Sequence, residues 1–201
     1  MRRVAVLLAV IVFAHVSLAG AQTMPTRIRG VIEQVDDRSM TITSREGQTL
    51  SIALDEKLSV VAVLPASLAD VTQGSFVSIP SLRQGDGSFK ARGVLVFPGT
   101  TSVVGRGGHD AWDLEPGSMM TNAVVDAVVT QPAGSRLTLN YGGGEVAVTV
   151  PAEAPVVTLG PGNRQLLKKG AAVFVPATRS ADGSLTTARV MVGTDGTAPP
   201  L

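Results

Sequence analysis

Apolar and polar residues alternate along much of the chain in short runs that predict β-strands. Residues 39–43 and 50–54 carry an apolar side chain at every second position, as a half-buried strand requires. Residues 137–140 and 146–150 repeat this alternation. Turn-forming glycines lie between the two runs of each pair, which is typical of hairpins. The chain is therefore predicted to be mainly β.

The same pattern occurs twice along the chain. Residues 73–80 match residues 169–176, and the turn Asp86-Gly87-Ser88 matches Asp182-Gly183-Ser184 at the same spacing. A collinear series of matches at one spacing indicates an internal duplication. Because Asp-Gly favours a tight hairpin, these aspartates are interpreted as turn residues rather than as metal ligands.

Each unit is predicted to contain three strands, a short helical segment and two further strands. The helical segments are predicted at residues 65–71 and directly after Asn163, which can cap a helix. This order is that of a small Greek-key barrel of the OB type. The predicted fold is two tandem OB-like barrels joined by an irregular linker. The predicted segments are a first barrel at 27–98, the linker at 99–120, a second barrel at 121–193 and a disordered tail at 194–201.

Several short motifs carry a resemblance to a known kind of protein. They are the opening Gly30-Val31-Ile32 and Ala123-Val124-Val125, the strand Thr41-Ile42-Thr43 and the Asp-Gly-Ser turns that precede a closing strand. The chain resembles exported bacterial domains of unknown function that occur as repeated small β-barrel units behind a signal peptide. The resemblance implies an exported β-barrel module and carries over no functional residues.

The N-terminus predicts export. Arg2 and Arg3 precede an almost wholly apolar run from Val4 to Val16, and Ala19-Gly20-Ala21 supplies the small residues of a cleavage site. The run is shorter than the about 20 apolar residues of a membrane-spanning helix. We expect a signal peptide at residues 1–21, cleavage before Gln22, and a periplasmic or secreted mature chain. No membrane span is predicted in that mature chain.

Composition narrows the classes of function. Removal of the signal peptide leaves 15 basic against 16 acidic residues, and the sequence has no cysteine and 3% aromatic residues. A net charge near zero and few aromatic side chains argue against nucleic-acid binding. The absence of cysteine excludes thiol catalysis. The motifs of serine hydrolases and zinc proteases are missing, so no catalytic residue and no cofactor is assigned, and the chain is predicted not to be an enzyme.

The linker holds the unusual side chains of the mature sequence. His109, Asp110 and Asp113 offer imidazole and carboxylate ligands and form a weak candidate metal site. Trp112 is predicted to dock between the barrels, with Leu114 and Met119 beside it. His109 is expected to be exposed.

These features leave two hypotheses for the function. The first is an exported, non-enzymatic binding or interaction module of the cell envelope, whose partner is an envelope protein, a glycan or a small ligand. The alternative is a periplasmic metal-binding or metal-responsive protein that uses the linker histidine, His109.

Overall fold

The computed structural model describes residues 26–99, 107–131 and 134–201. The predicted signal peptide and its cleavage site lie outside these residues. The described residues form thirteen strands and two single turns of 3₁₀-helix, at Leu68–Asp70 and Arg164–Leu166. The strands are β1 (Thr26–Val35), β2 (Ser39–Ser44), β3 (Thr49–Ala66), β4 (Phe76–Arg83), β5 (Phe89–Ala91), β6 (Val94–Val96), β7 (Gly108–Ala111), β8 (Ser118–Gln131), β9 (Gly134–Asn140), β10 (Glu145–Pro151), β11 (Val156–Pro161), β12 (Ala172–Arg179) and β13 (Leu185–Gly193). The prediction of a mainly β fold is confirmed.

Five of these strands close into a barrel. β1 pairs antiparallel with β2 and β12, β2 pairs antiparallel with β3, and β12 pairs antiparallel with β13. A parallel pairing between β13 and β3 closes the barrel. We call this set the first barrel. Closure leaves none of its five strands as a free edge.

Five further strands make a second closed set, which we call the second circuit. β8 pairs antiparallel with β9 and β4, β9 with β10, and β4 with β5. A parallel pairing of β10 with β5 closes the set. β7 extends it by pairing with the start of β8.

Neither closed set lies within one of the units predicted from the sequence. The first barrel consists of β1 to β3 from the first predicted unit and β12 and β13 from the second. The second circuit consists of β4 and β5 from the first unit and β8 to β10 from the second. The pairing thus crosses the boundaries that divided the chain into one barrel per unit. The physical reason is that strands with the same alternation offer equivalent partners, so local patterning does not choose between them.

The two closed sets pair their strands in matching register. Gly30 lies opposite Val173 in the first barrel, as Ala123 lies opposite Val77 in the second circuit. The β1–β2 hairpin has a bulge after Ile32, and the β8–β9 hairpin has a bulge at the corresponding place, after Val125.

Two strands outside both closed sets, β11 and β6, connect them: β11 pairs with β3, and β6 pairs with β11 and with β4. The C-terminal half of β3 pairs with β11, and Val63 lies opposite Leu159 at the middle of this pairing. β13 lies beside β3, and β6 lies beside β11. An approximate twofold axis therefore passes between Val63 and Leu159.

Buried side chains form three clusters. One fills the first barrel around Ile32 and Ile42, and a second lies inside the second circuit around Val125 and Leu139. The third, which we call the central cluster, lies between the two sets. Its buried members are Val63, Leu95, Met120, Val157, Phe174, Met191 and Leu201.

Local turn predictions agree with the structure. Gly87 and Gly183 have φ of 84° and 86°, which glycine adopts without strain. The carboxylates of Asp86 and Asp182 accept hydrogen bonds from the backbone N–H groups of Ser88 and Ser184 at 2.9 and 3.0 Å. These aspartates therefore act as turn residues.

Residues 107–120 of the predicted linker and the tail predicted to be disordered make tertiary contacts, while linker residues 100–106 lie outside the described residues. The predicted linker at 99–120 contains β7 and the start of β8, whose pairing places His109 opposite Thr121. The tail at 194–201, predicted to be disordered, packs against the body: Thr194 donates a backbone hydrogen bond to Val63, and Leu201 is buried. Burial of this apolar side chain explains why the tail docks.

Candidate functional site

A pocket of about 720 Å³ opens on the central cluster, between the outward-facing sides of the first barrel and the second circuit. We call it the central pocket. Its size lies within the range of small-molecule sites. It is lined mainly by apolar side chains from both halves of the chain. They are Phe76, Ser78, Leu95, Phe97, Pro98, Trp112, Met120, Asn122, Leu159, Gly160, Pro161, Phe174, Pro176, Arg189, Met191 and Leu201.

Strand geometry explains why apolar side chains reach this pocket. In β12, Val173 and Val175 belong to the core of the first barrel, so the intervening Phe174 faces the opposite side. In β6, Leu95 lies between Val94 and Val96 and likewise faces away from the second core. In each of these two strands, the middle residue of a run of three apolar residues therefore faces the pocket.

Two aromatic side chains that line the pocket pack against each other. Phe76 and Phe97 pack edge to face, with ring centroids 5.4 Å apart. Met120 and Met191 lie among the lining residues, and methionine is a flexible side chain that adapts to irregular shapes. The pocket thus combines fixed rings with side chains that can adjust to an occupant.

Trp112 forms one side of the pocket from the turn between β7 and β8. This turn, residues 112–117, we call the strap. The hydroxyl of Ser118 lies within hydrogen-bond distance of the carbonyl oxygens of Trp112 (2.9 Å) and Glu115 (2.7 Å). Gly117 has φ of 80°, which lets the strap turn back into β8. Local hydrogen bonds therefore fix the backbone of the strap from which the indole extends.

Ion pairs and a cation–π contact fasten the strap to the first barrel. The guanidinium of Arg27 lies 4.0 Å from the centre of the Trp112 ring. Asp113 pairs with Arg29 at 2.7 Å and with Arg27 at 3.6 Å. The strap thereby bridges the two closed sets.

The electrostatics of the strap follow from these pairs. Burial alone would raise the pKa of Asp113, but the hydrogen bond and charge of Arg29, together with the charge of Arg27, outweigh it and lower the pKa. The hydrogen bond from Arg92 lowers the pKa of Glu115 below its ordinary value. Both carboxylates are therefore ionised at neutral pH.

The polar side chains of the central pocket are few. Ser78 donates a hydrogen bond to the side-chain oxygen of Asn122, so these two groups satisfy each other. Arg189 lies at the exposed side of the pocket on β13, and no carboxylate of the described residues forms an ion pair with it. Arg189 is thus the one charged side chain of the lining, and its charge is not neutralised within the described chain.

The residues of the predicted metal site are placed in three different environments. The Nδ1 atom of His109 lies 2.9 Å from the Thr121 hydroxyl, Asp110 is exposed, and Asp113 is paired with arginines. Across residues 26–99, 107–131 and 134–201, no three potential metal ligands lie together. Among these described residues, His109, Asp110 and Asp113 are therefore not brought together as one ligand set.

His109 is half-buried rather than exposed, contrary to the prediction from the sequence. Its ring meets Phe89 edge to face at 4.9 Å and stacks on Tyr141 at 5.7 Å. Burial lowers the pKa of His109, against a smaller opposing effect from the charge of Asp110. The aromatic contacts arise because β7 joins the sheet, which the sequence pattern did not predict.

Of the three residues predicted to contact both barrels, only Trp112 lines the central pocket; it is half-buried and packs against the central cluster. Leu114 is half-buried beside the C-terminal tail, and Met119 is half-buried in β8. Phe97, Arg189 and Leu201 were not predicted from the sequence as site residues. The available signal was the apolar runs of β6 and β12, because a strand that is apolar on both sides is covered on both sides.

No protein-family model, no curated protein and no solved structure matches this chain. The resemblance to exported repeated β-barrel domains therefore stays a prediction. Within the part of the chain that the structure describes, no helix has the length and apolar character needed to cross a membrane.

Proposed function

We propose that this chain is an exported, non-enzymatic binding module of the bacterial cell envelope, and that the central pocket holds a small, largely apolar ligand. The observation that carries this proposal is the direction of the aromatic side chains. Phe76, Phe97 and Phe174 line an open pocket instead of filling either core. Phe76 and Phe174 are each 7% exposed and Phe97 is half-buried, and a concave, mainly apolar lining of this kind is typical of a small-molecule site.

We also propose that the two halves of the chain derive from a duplicated OB-like unit. The matching registers support this, since Leu95 lies opposite Val157 just as Met191 lies opposite Val61. In this proposal the two copies exchange their last strands within one chain. The pocket then belongs to the pair of copies, because Phe76 and Phe174 come from different units.

Export rests on the sequence of residues 1–21. The basic pair Arg2 and Arg3, the apolar run and the small residues before Gln22 support cleavage and release into the periplasm or medium. Mass spectrometry of the exported protein should find Gln22 as its first residue. A chain that retains Met1 in the membrane fraction would contradict export without affecting the pocket.

Ligand binding can be tested with a neutral fluorescent probe. The full mature chain should bind N-phenyl-1-naphthylamine saturably, with an increase in probe fluorescence. Leu159→Trp places a larger side chain in the pocket, where Leu159 is half-buried, and should weaken this binding about tenfold or more.

Val129→Trp is the matched control, since Val129 is 54% exposed and does not line the pocket. It should leave probe binding unchanged. Absence of saturable binding to the wild-type chain, or equal loss in both variants, would show that the central pocket is not a ligand site.

A further inference from the structure

Arg189 breaks the approximate symmetry of the molecule at the edge of the central pocket. In matching pairings, Val190 lies beside Val60 and Val94 lies beside Val156, so Gly93, which precedes Val94, occupies the position that corresponds to Arg189. A side chain at Gly93 would collide with Pro200, because an added Cβ would lie 2.5 Å from the Cβ atom of Pro200. The tail covers this position in the second circuit, whereas Arg189 stays open to solvent.

The surroundings of Arg189 favour an anion. Met191 lies two positions along the same strand, so both side chains leave β13 on the same side, and both line the pocket. Arg27 and Arg29 lie over the Trp112 ring at 4.0 and 5.8 Å; Asp113 forms ion pairs with both, and Arg29 also donates a hydrogen bond to the backbone oxygen of Leu201. Arg27 and Arg29 thus have acceptor oxygens within the structure, whereas Arg189 is the cation at the pocket that forms no ion pair with a described carboxylate.

We propose that the ligand of the central pocket is a single-chain amphiphile with an anionic head group. This inference rests on the proposed function. The hydrocarbon chain packs against Phe76, Phe174 and Met191, and the head group accepts hydrogen bonds from the guanidinium of Arg189. A guanidinium presents paired N–H donors that match the oxygens of a carboxylate or a phosphate. The shared chemistry is therefore an oxyanion on an apolar chain.

Competition against the neutral probe tests the head group separately from the chain. Dodecanoate, dodecyl phosphate, dodecanol and dodecyltrimethylammonium have matched chains, and each is used below its critical micelle concentration. Both anions should displace the probe at concentrations about tenfold lower than dodecanol does, and the cation should be the weakest competitor. Raising the salt concentration should reduce the advantage of the anions, because Arg189 is exposed.

Arg189→Gln should remove the advantage of the anions, measured within that variant as the ratio of the dodecanol concentration to the anion concentration that displaces half of the probe. Arg189→Lys should retain part of it, since the charge remains and the paired donors are lost. Arg38→Gln is the matched control, because Arg38 is exposed and does not line the pocket, and it should behave as wild type.

The outcomes separate this inference from the proposed function. If the probe does not bind, the proposed function fails and this inference fails with it. If the probe binds but anions compete no better than dodecanol, the pocket is a ligand site and the inference is wrong. An anion preference that persists in Arg189→Gln would also overturn it. A preference for one anion over the other, lost in Arg189→Gln, would support it and distinguish a carboxylate from a phosphate ligand.

Discussion

The first barrel and the second circuit pair their strands in the same register but carry different side chains at one end of the paired strands. Ile28 lies opposite Val175 in the first barrel, and Thr121 lies opposite Ile79 at the corresponding place in the second circuit. The Thr121 hydroxyl lies within hydrogen-bond distance of His109, which β7 brings to this end of the circuit.

A second difference concerns a single buried hydroxyl. Ala177 lies opposite Thr26, and Ser81 lies opposite Met119 at the corresponding place. Both residues are fully buried, and the Ser81 hydroxyl has no hydrogen-bond partner among the described residues. The apolar interior that both closed sets share therefore determines strand pairing, while side chains at the strand ends and on the outer sides of the sheets differ.

The largest effect is expected for core residues at matching positions. Ile42 and Leu139 are both fully buried and lie opposite Ile32 and Val125. Ile42→Ala and Leu139→Ala should each lower the free energy of unfolding by about 2–5 kcal/mol. Because each closed set contains strands from both halves, urea unfolding should remain one transition when followed by circular dichroism and by Trp112 fluorescence.

Val129→Ala serves as the control for these two variants, because its side chain is largely exposed. It should change stability by less than about 0.5 kcal/mol. A separate, unchanged transition in either core variant would show that the two closed sets unfold independently, which the exchange of strands does not allow.

The next effect concerns the strap, which packs Trp112 against the central cluster. Trp112→Ala should cost about 2 kcal/mol, less than for a fully buried indole, because the side chain is half-buried. Trp112→Phe should cost less than about 1 kcal/mol, since it keeps apolar contact and removes an indole N–H that is buried without a partner in the described structure. Urea midpoints measure both changes.

Trp112 fluorescence offers an independent check on the same contact. The native emission maximum should lie at shorter wavelength than that of the unfolded chain. An emission maximum typical of exposed indole before unfolding would mean that the strap does not pack against the central cluster.

Substitutions at Ser81 and Ala177 measure the effect of the one buried hydroxyl by which these matching positions differ. Ser81→Ala should stabilise the protein by about 1 kcal/mol, because it removes a buried hydroxyl that lacks a partner. Ala177→Ser should destabilise it by about 1–2 kcal/mol for the converse reason. Thermal or urea unfolding measures both. A loss of stability in Ser81→Ala would mean that the hydroxyl is satisfied in solution.

His109→Ala should lower stability by about 1 kcal/mol at pH 8, because His109 loses its contacts with Phe89 and the Thr121 hydroxyl. This exceeds the change of less than about 0.5 kcal/mol expected for an exposed histidine.

Because burial lowers the pKa of His109, the folded wild-type protein binds fewer protons than the unfolded chain does. Its stability should therefore fall as the pH drops below about 6.5, the ordinary histidine pKa, and His109→Ala should lack this part of the decrease.

Nuclear magnetic resonance titration of the His109 ring should give a midpoint below that of the unfolded chain. A midpoint at or above the ordinary value would contradict the burial of this ring, because loss of hydration is what disfavours its charged form.

The smallest effect is expected for the ion pair of the strap. Asp113→Asn should cost about 0.5 kcal/mol at pH 7, since the carboxylate is about half exposed. The folded pKa of Asp113 is lowered, so its contribution is present above the ordinary pKa of about 3.9 and is lost as the pH falls through the folded value. Wild type and variant should thus converge in strong acid. A constant difference down to the lowest pH would exclude the charge as its cause.

The sequence by itself determined the elements that depend on neighbours along the chain. Alternation at residues 39–43 and 50–54 predicted β2 and the start of β3, since successive strand residues face opposite sides. The Asp-Gly turns were predictable because glycine adopts the positive φ that they require. The short helical segment after Asn163 was predicted because the asparagine caps it, and its side chain accepts a hydrogen bond from Gln165.

Only the tertiary structure decided which strands pair and what covers their outer sides. β1 can pair with β4 or with β12 on alternation alone, because Val77 and Val173 offer the same apolar position, so the exchange between halves depends on contacts distant in sequence. The placement of Trp112 and Leu201 has the same origin. Each is held by residues distant in sequence: Arg27 contacts the indole, and Leu201 lies in the same buried cluster as Val63 and Leu95. The central pocket could not be predicted for that reason: its walls come from both halves, and no segment of the sequence contains them together.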